Sequence, residues 1–183
     1  KRRDLEFKLF SEIERLHVEP MINSGFKGIE RFMEVALSIA NRRKSRTGCS
    51  LELNLGAIFS DAGIKFDRGK ITENHKRPDF VFPSIKQYHD RSFSADLLDM
   101  LAAKTTCKDR WRQVLSEANR ISKKHLFTLQ EGVSENQLEE MKSSNLQLVV
   151  PQTNLKKFPA KVRDDVMTLQ KFVDFIKNKQ ECL

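Results

Sequence analysis

Three residues of this chain have the types and spacing to do chemistry together. Asp79 follows Pro78 at the mouth of a short apolar run, RPDFVFPS (77–84), and Lys104 ends a second, DLLDMLAAKT (96–105). A lysine at the end of an apolar strand is costly to place unless an anion meets it. If the two runs pair as a hairpin, Asp79 can hold a metal ion while the Lys104 ammonium positions a water. Alternation along the strand would put a second carboxylate two residues before Lys104, on the same face. That position is Ala102. A small residue there leaves room for a longer side chain from outside the strand, and Glu117, thirteen residues after Lys104, is expected to supply it. Taken alone, a Pro-Asp pair is ordinary turn sequence, so the reading rests on the combination.

The elements that must position these groups can be read from periodicity. FVFPS (80–84), DLLDMLAAKT (96–105), HLFTLQ (125–130) and LQLVVP (146–151) read as strands. Helices are expected over about 109–123, 134–143 and 160–177. Strands alternating with helices predict an α/β protein whose sheet is at least partly parallel. The first forty-odd residues read as helical: Leu5, Phe10, Ile13 and Leu16 form one stripe, and Ile29, Phe32, Met33, Ala36 and Ile39 another, with Pro20 and Gly25 between them. RRKSRTG (42–48) is expected to be a basic loop touching phosphate or solvent. Ser50 is expected to cap a helix carrying Leu51, Leu55, Ile58 and Phe59, with Gly63 as its stop. No repeat or low-complexity linker divides the chain, so residues 1–183 are expected to form a single domain.

From Lys104 to Lys124, both included, there are seven Lys or Arg and two acids, Asp109 and Glu117. Trp111, Val114, Leu115, Ala118 and Ile121 give this segment an apolar face that must pack on the sheet. Its start, Lys108-Asp109-Arg110-Trp111-Arg112, suits base-edge recognition in a DNA major groove. Arginine can grip guanine O6 and N7, and a carboxylate can accept from the cytosine amino group. The alternative is a solvated helix start in which Asp109 answers the helix dipole.

Composition narrows the partners. The chain has 183 residues, 39% hydrophobic and 32% charged, with a net charge of +8, which describes a globular protein with a polyanionic partner such as nucleic acid. Neither a bilayer-spanning apolar run nor a signal peptide is present, so no membrane partner and a cytoplasmic location are expected. Cys49, Cys107 and Cys182 are odd in number and far apart, and His17, His75, His89 and His125 lack metal-ligand spacing. Reduced, partly buried thiols are expected. The chain begins KRRDLEF without a methionine, so a fragment of a longer protein is expected.

The run RPDFVFP, Tyr88, the run LAAKTTCKDRWRQ and Glu117 together resemble the catalytic domains of EcoRII-type type II restriction endonucleases. More loosely, they are similar to the PD-(D/E)XK nucleases whose second acid has moved to the following helix, giving a lysine, twelve residues and a glutamate. The resemblance spans about residues 75–150. It implies a restriction-endonuclease-like α/β fold, a mixed central sheet flanked by helices with a helical N-terminal part.

It also implies a Mg2+-dependent, sequence-specific double-stranded DNA endonuclease of bacterial cytoplasm. Asp79 and Glu117 would bind Mg2+, and Lys104 would orient and help deprotonate the attacking water. Glu52 would add a further acid from an upstream helix, and Tyr88 would lie near the scissile phosphate; for both, the alternative is an ordinary solvent-facing side chain. Arg110 and Arg112 would read guanines and Asp109 cytosines, with Lys108 beside them. The resemblance further implies a homodimer cutting a CC(A/T)GG-type site to leave 5′ overhangs, flipping of the central base pair, and an upstream regulatory domain. Arg2 or Arg3 with Phe7 could grip flipped bases by stacking; at a cut end, an ordinary surface role is the alternative. Two rivals are a repair or junction-resolving nuclease of the same fold and a non-catalytic DNA-binding regulator. The regulator would need none of Asp79, Lys104 and Glu117.

Overall fold

The computed structural model describes residues 2–183, except the side chains of Arg2 and Arg3, so the expectation that either grips a base lies outside what is described. Two compact units are present, one running to Arg46 and the other spanning Thr47–Leu183. The first contains α1 (Arg2–Asn23) and the start of α2 (Ile29–Asp61), joined by a turn in which Gly25 and Gly28 take positive φ. Pro20 lies inside α1.

RRKSRTG is not a loop; it is continuous helix within α2, and Ser50 sits mid-helix instead of capping one. Lys and Arg are good helix formers, and the charge of this segment has local partners. Arg43 and Arg46 both donate to the Glu14 carboxylate, which they hold well below the usual range, at about 2. Arg46 also lies over the Phe10 ring. Gly63, at φ +73, follows the end of α2 as expected.

The second unit is built on a six-stranded sheet in the order β1 (Asp67–Arg68), β2 (Phe80–Phe82), β3 (Asp99–Lys104), β4 (Lys124–Thr128), β5 (Leu146–Val150), β6 (Met167–Thr168). The β1-β2-β3 pairs are antiparallel and the β3-β4-β5-β6 pairs parallel, so the sheet is mixed. Helices α3 (Ile85–His89), α4 (Trp111–Val114), α5 (Glu135–Ser143), α6 (Gln152–Leu155) and α7 (Leu169–Glu181) complete the unit. Two expected helices are shorter. The 160–177 segment is a 3-10 turn, then β6, then α7, which starts behind a Thr168 cap. The 109–123 segment leaves regular α-helix after Val114.

Each face of the sheet carries its own apolar layer. On one, Phe80, Phe82, Leu101, Ala103, Phe127 and Val149 pack against Leu51, Leu55 and Phe59 of α2 and Phe172, Val173 and Ile176 of α7. On the other, Val81, Met100, Ala102, Leu126 and Leu148 pack beneath Tyr88, Trp111, Val114, Ala118, Leu138 and Met141. The alternation along β3 sends Ala102 and Lys104 to this second face and Leu101 and Ala103 to the first. Helices therefore flank a central mixed sheet, as expected of the restriction-endonuclease-like class.

Candidate active site

The β2–β3 hairpin brings Asp79 and Lys104 together. Phe80 pairs with Leu101 and Phe82 with Asp99; continuing that register sets Asp79 opposite Ala102. Asp79 Oδ2 accepts from the Ala103 amide at 2.6 Å and from Lys104 Nζ at 2.9 Å. Both side chains are mostly shielded, at 15% and 23% exposure, where an ion pair is less screened than on open surface. Pro78 is buried, and Ala102 is fully buried beside them.

Glu117 enters this site from a turn, which corrects the expectation that it rides on a helix face. Beyond α4 the chain winds on by i→i+3 bonds, Ser116 to Gln113 and Glu117 to Val114, and Ala118 then takes φ +49. Glu117 Oε2 is buried and has no hydrogen-bond partner among the described residues. Burial pushes this carboxyl up to about 7; Lys104 draws it down and Asp79 pushes it up. A buried carboxyl coupled to another acid and to a lysine marks a candidate functional cluster.

Glu52, on α2, is half-buried, and burial followed by the Asp79 charge raises its carboxyl while Arg68 and Lys104 oppose the rise. It shares the electrostatic field of the site. Among the described residues, however, no three His, Cys, Asp or Glu side chains gather tightly enough to hold a metal ion by themselves. Tyr88 is not the solvent-facing side chain of the alternative reading. It is 1% exposed and its hydroxyl donates to Glu73.

Lys108, Asp109, Arg110 and Arg112 are exposed, just beyond the end of β3. Arg110 donates to Thr106. Arg112 bonds Glu140 at 2.6 Å, approaches Asp109 at 3.5 Å and lies over the Trp111 ring. The lysine-acid-arginine run thus faces solvent while Trp111 anchors it in the core.

Three residues near Glu117 were not picked out from sequence. Glu73 and Arg120 sit in polar stretches that give no signal. Lys124 did give one, because it begins the apolar run KHLFT as Lys104 ends LLDMLAAK. It is buried, donates to Ile121 O at 2.7 Å, and burial lowers its ammonium against the pull of Glu117 and Glu73.

The family model for the EcoRII C-terminal region matches residues 10–173. The chain is 51% identical over 173 residues to the type II restriction enzyme EcoRII of Escherichia coli, covering 94% of this chain and 43% of that protein. It is 31% identical over 158 residues to the type II restriction enzyme SsoII of Shigella sonnei, covering 81% of this chain and 50% of that protein. The chain therefore spans about half the length, or less, of these curated relatives. A solved structure of metal-depleted Ecl18kI in complex with uncleaved, modified DNA is similar in fold, with a TM-score of 0.77 at 24% identity, covering 98% of this chain and 66% of that one. On the family match and the identity together, this chain belongs to the EcoRII C-terminal family of type II restriction enzymes.

Proposed function

We propose that this chain is a site-specific deoxyribonuclease, a restriction endonuclease catalytic domain that hydrolyses phosphodiester bonds of double-stranded DNA with a divalent cation, Mg2+. The observation that carries the reading is the buried Glu117 oxygen, without a hydrogen-bond partner among the described residues, on a carboxyl that feels the charges of the paired Lys104 and Asp79. The fold relative Ecl18kI is described as metal-depleted in its complex with uncleaved, modified DNA, which supports a metal ion in a site of this fold. The donors fit such an ion, since both are hard oxygens and Glu117 Oε2 has a bonding position to offer. Two protein carboxylates suffice, because Mg2+ completes its shell with waters and substrate phosphate rather than an all-protein cage. Bound by Asp79 and Glu117, it would supply Lewis acidity toward the phosphate oxygens and lower the pKa of its water.

The protein's own groups do the positioning. Asp79 is fixed by the Ala103 amide, so its carboxylate is aimed by the strand itself. Lys104 stands beside it as a point charge that offsets the phosphate and orients the attacking water. Glu52, on α2, is coupled to Asp79 and Lys104, so a charge on it adds to the negative potential that attracts a cation. Lys108, Asp109, Arg110 and Arg112 meet the major groove, the arginines reading guanines and Asp109 cytosines of a CC(A/T)GG-type site. Cleavage leaving 5′ overhangs, flipping of the central pair and restraint by a regulatory domain belong to the same proposal. So does a homodimer with one site per strand; exposed apolar side chains such as Leu5, Leu16, Ile29 and Phe32 support it. Phe7, 72% exposed, is available for stacking on a base.

The test is cleavage of short duplexes with and without the site. Site-specific cutting is expected of the intact chain, and Asp79→Ala should abolish it while metal-free DNA binding stays within a few fold. Equal loss of binding and cleavage would contradict the assignment of Asp79.

A further inference from the structure

We propose that Glu73, Tyr88 and Arg120 form a positioning network that holds the Glu117 turn where its carboxylate can serve a divalent cation. The inference rests on Glu117 being a metal ligand, as proposed above. In a helix, the amides of Asn119 and Arg120 would bond the carbonyls of residues 115 and 116. Here the Asn119 amide donates to Glu73 Oε2 at 3.3 Å and the Arg120 amide to Tyr88 Oη at 3.3 Å. Two side chains thus take over the bonds that would continue the helix, and the chain reverses at Ala118.

The two acceptors are locked to each other. Tyr88 Oη donates to Glu73 at 2.6 and 2.5 Å. Burial and the Glu73 carboxylate push the phenol up, and that bond from Tyr88 holds Glu73 down against its own burial, so the hydroxyl keeps its proton as the donor. Arg120 then ties the turn to the α3 end and the loop after it. Its guanidinium donates to Asp90 O and Phe93 O at 2.8 Å each, and also to Tyr88 O, with its carbon over the Tyr88 ring. On the far side of the turn, Lys124 Nζ holds Ile121 O. None of these groups needs to touch DNA to act. A carboxylate on a turn lacks the rigidity of one on a strand or helix, so its aim depends on partners of this kind.

The test measures Mn2+ binding by calorimetry on the intact chain without DNA, together with the melting temperature and DNA affinity in EDTA. Tyr88→Phe and Glu73→Gln are expected to weaken Mn2+ binding by about 10- to 100-fold, the usual effect of losing an outer partner of a ligand. Melting and metal-free DNA binding should stay close to the parent, and neither change should weaken Mn2+ further in a Glu117→Ala background. Should Glu73→Gln unfold, Tyr88→Phe, which removes a single oxygen, carries the test. If Glu117→Ala weakens Mn2+ binding but Tyr88→Phe does not, the network is overturned and the ligand assignment stands. If Glu117→Ala leaves Mn2+ binding unchanged, the ligand assignment falls and the network proposal with it.

Discussion

Glu117 holds an acid proton to about pH 7 because its carboxyl is buried, where an unfolded chain would release it near 4.5. Below about 4.5 both states are protonated and the group contributes no difference in stability. As pH rises from there to about 7, the unfolded chain has lost a proton that the folded one keeps, so metal-free stability attributable to Glu117 falls across this window. A bound cation would reverse the balance by favouring the carboxylate. Divalent-metal affinity should therefore rise with pH up to about 7 and then level off, a slope that calorimetry with Mn2+ would read and that Glu117→Gln should remove. An affinity independent of pH in the parent would contradict it. Asp79 and Lys104 were legible in sequence because a lysine ending an apolar strand implies an anion nearby. Glu73 and Arg120 were not, since their roles come from amides that only the folded turn exposes.

Secondary elements decide which side chains reach the site. The strand pattern was readable because each strand alternates between two apolar layers or is buried on both faces, as β3 is from Asp99 to Ala103. Helix ends were less so. The 109–123 segment carries a helical apolar face, and Trp111, Val114, Ala118 and Ile121 are indeed buried. Only Trp111–Val114 is α-helix; the next amides tighten to i→i+3 bonds, and those of Asn119 and Arg120 go to Glu73 and Tyr88 instead of to local carbonyls. Arg112 lies on this short helix, and Lys108, Asp109 and Arg110 on the 3-10 turn before it, the four residues proposed to read bases. Arg110→Ala should cost about 1–3 kcal/mol of binding at the cognate site and relax discrimination there; an equal loss on every sequence would make it a phosphate contact. Helix α2 is held to the sheet through Phe59, packed edge-on against Phe66, Phe80 and Phe82 at 5.2–5.7 Å between ring centroids. Phe59→Ala should destabilise the fold by about 3–5 kcal/mol in chemical denaturation; a cost below about 1 kcal/mol would mean that the layer repacks.

At the level of the whole molecule, a basic chain carries the carboxylates Asp79 and Glu117 where antiparallel β2 and β3 give way to parallel strands inside its sheet. The positive charge suits attraction to DNA and the local negative charge suits a cation. Among the described residues, no helix is long and apolar enough to cross a membrane. The mixed sheet was legible only as partly parallel, because sequence shows alternation of elements and not which strand pairs with which. The most direct test is cleavage of a plasmid carrying a CC(A/T)GG site with Mg2+, comparing the intact chain with Glu117→Ala and sequencing the ends. Cuts confined to that site in the parent and lost in the variant are predicted; specific cuts that survive Glu117→Ala, or none in the parent, would contradict the account.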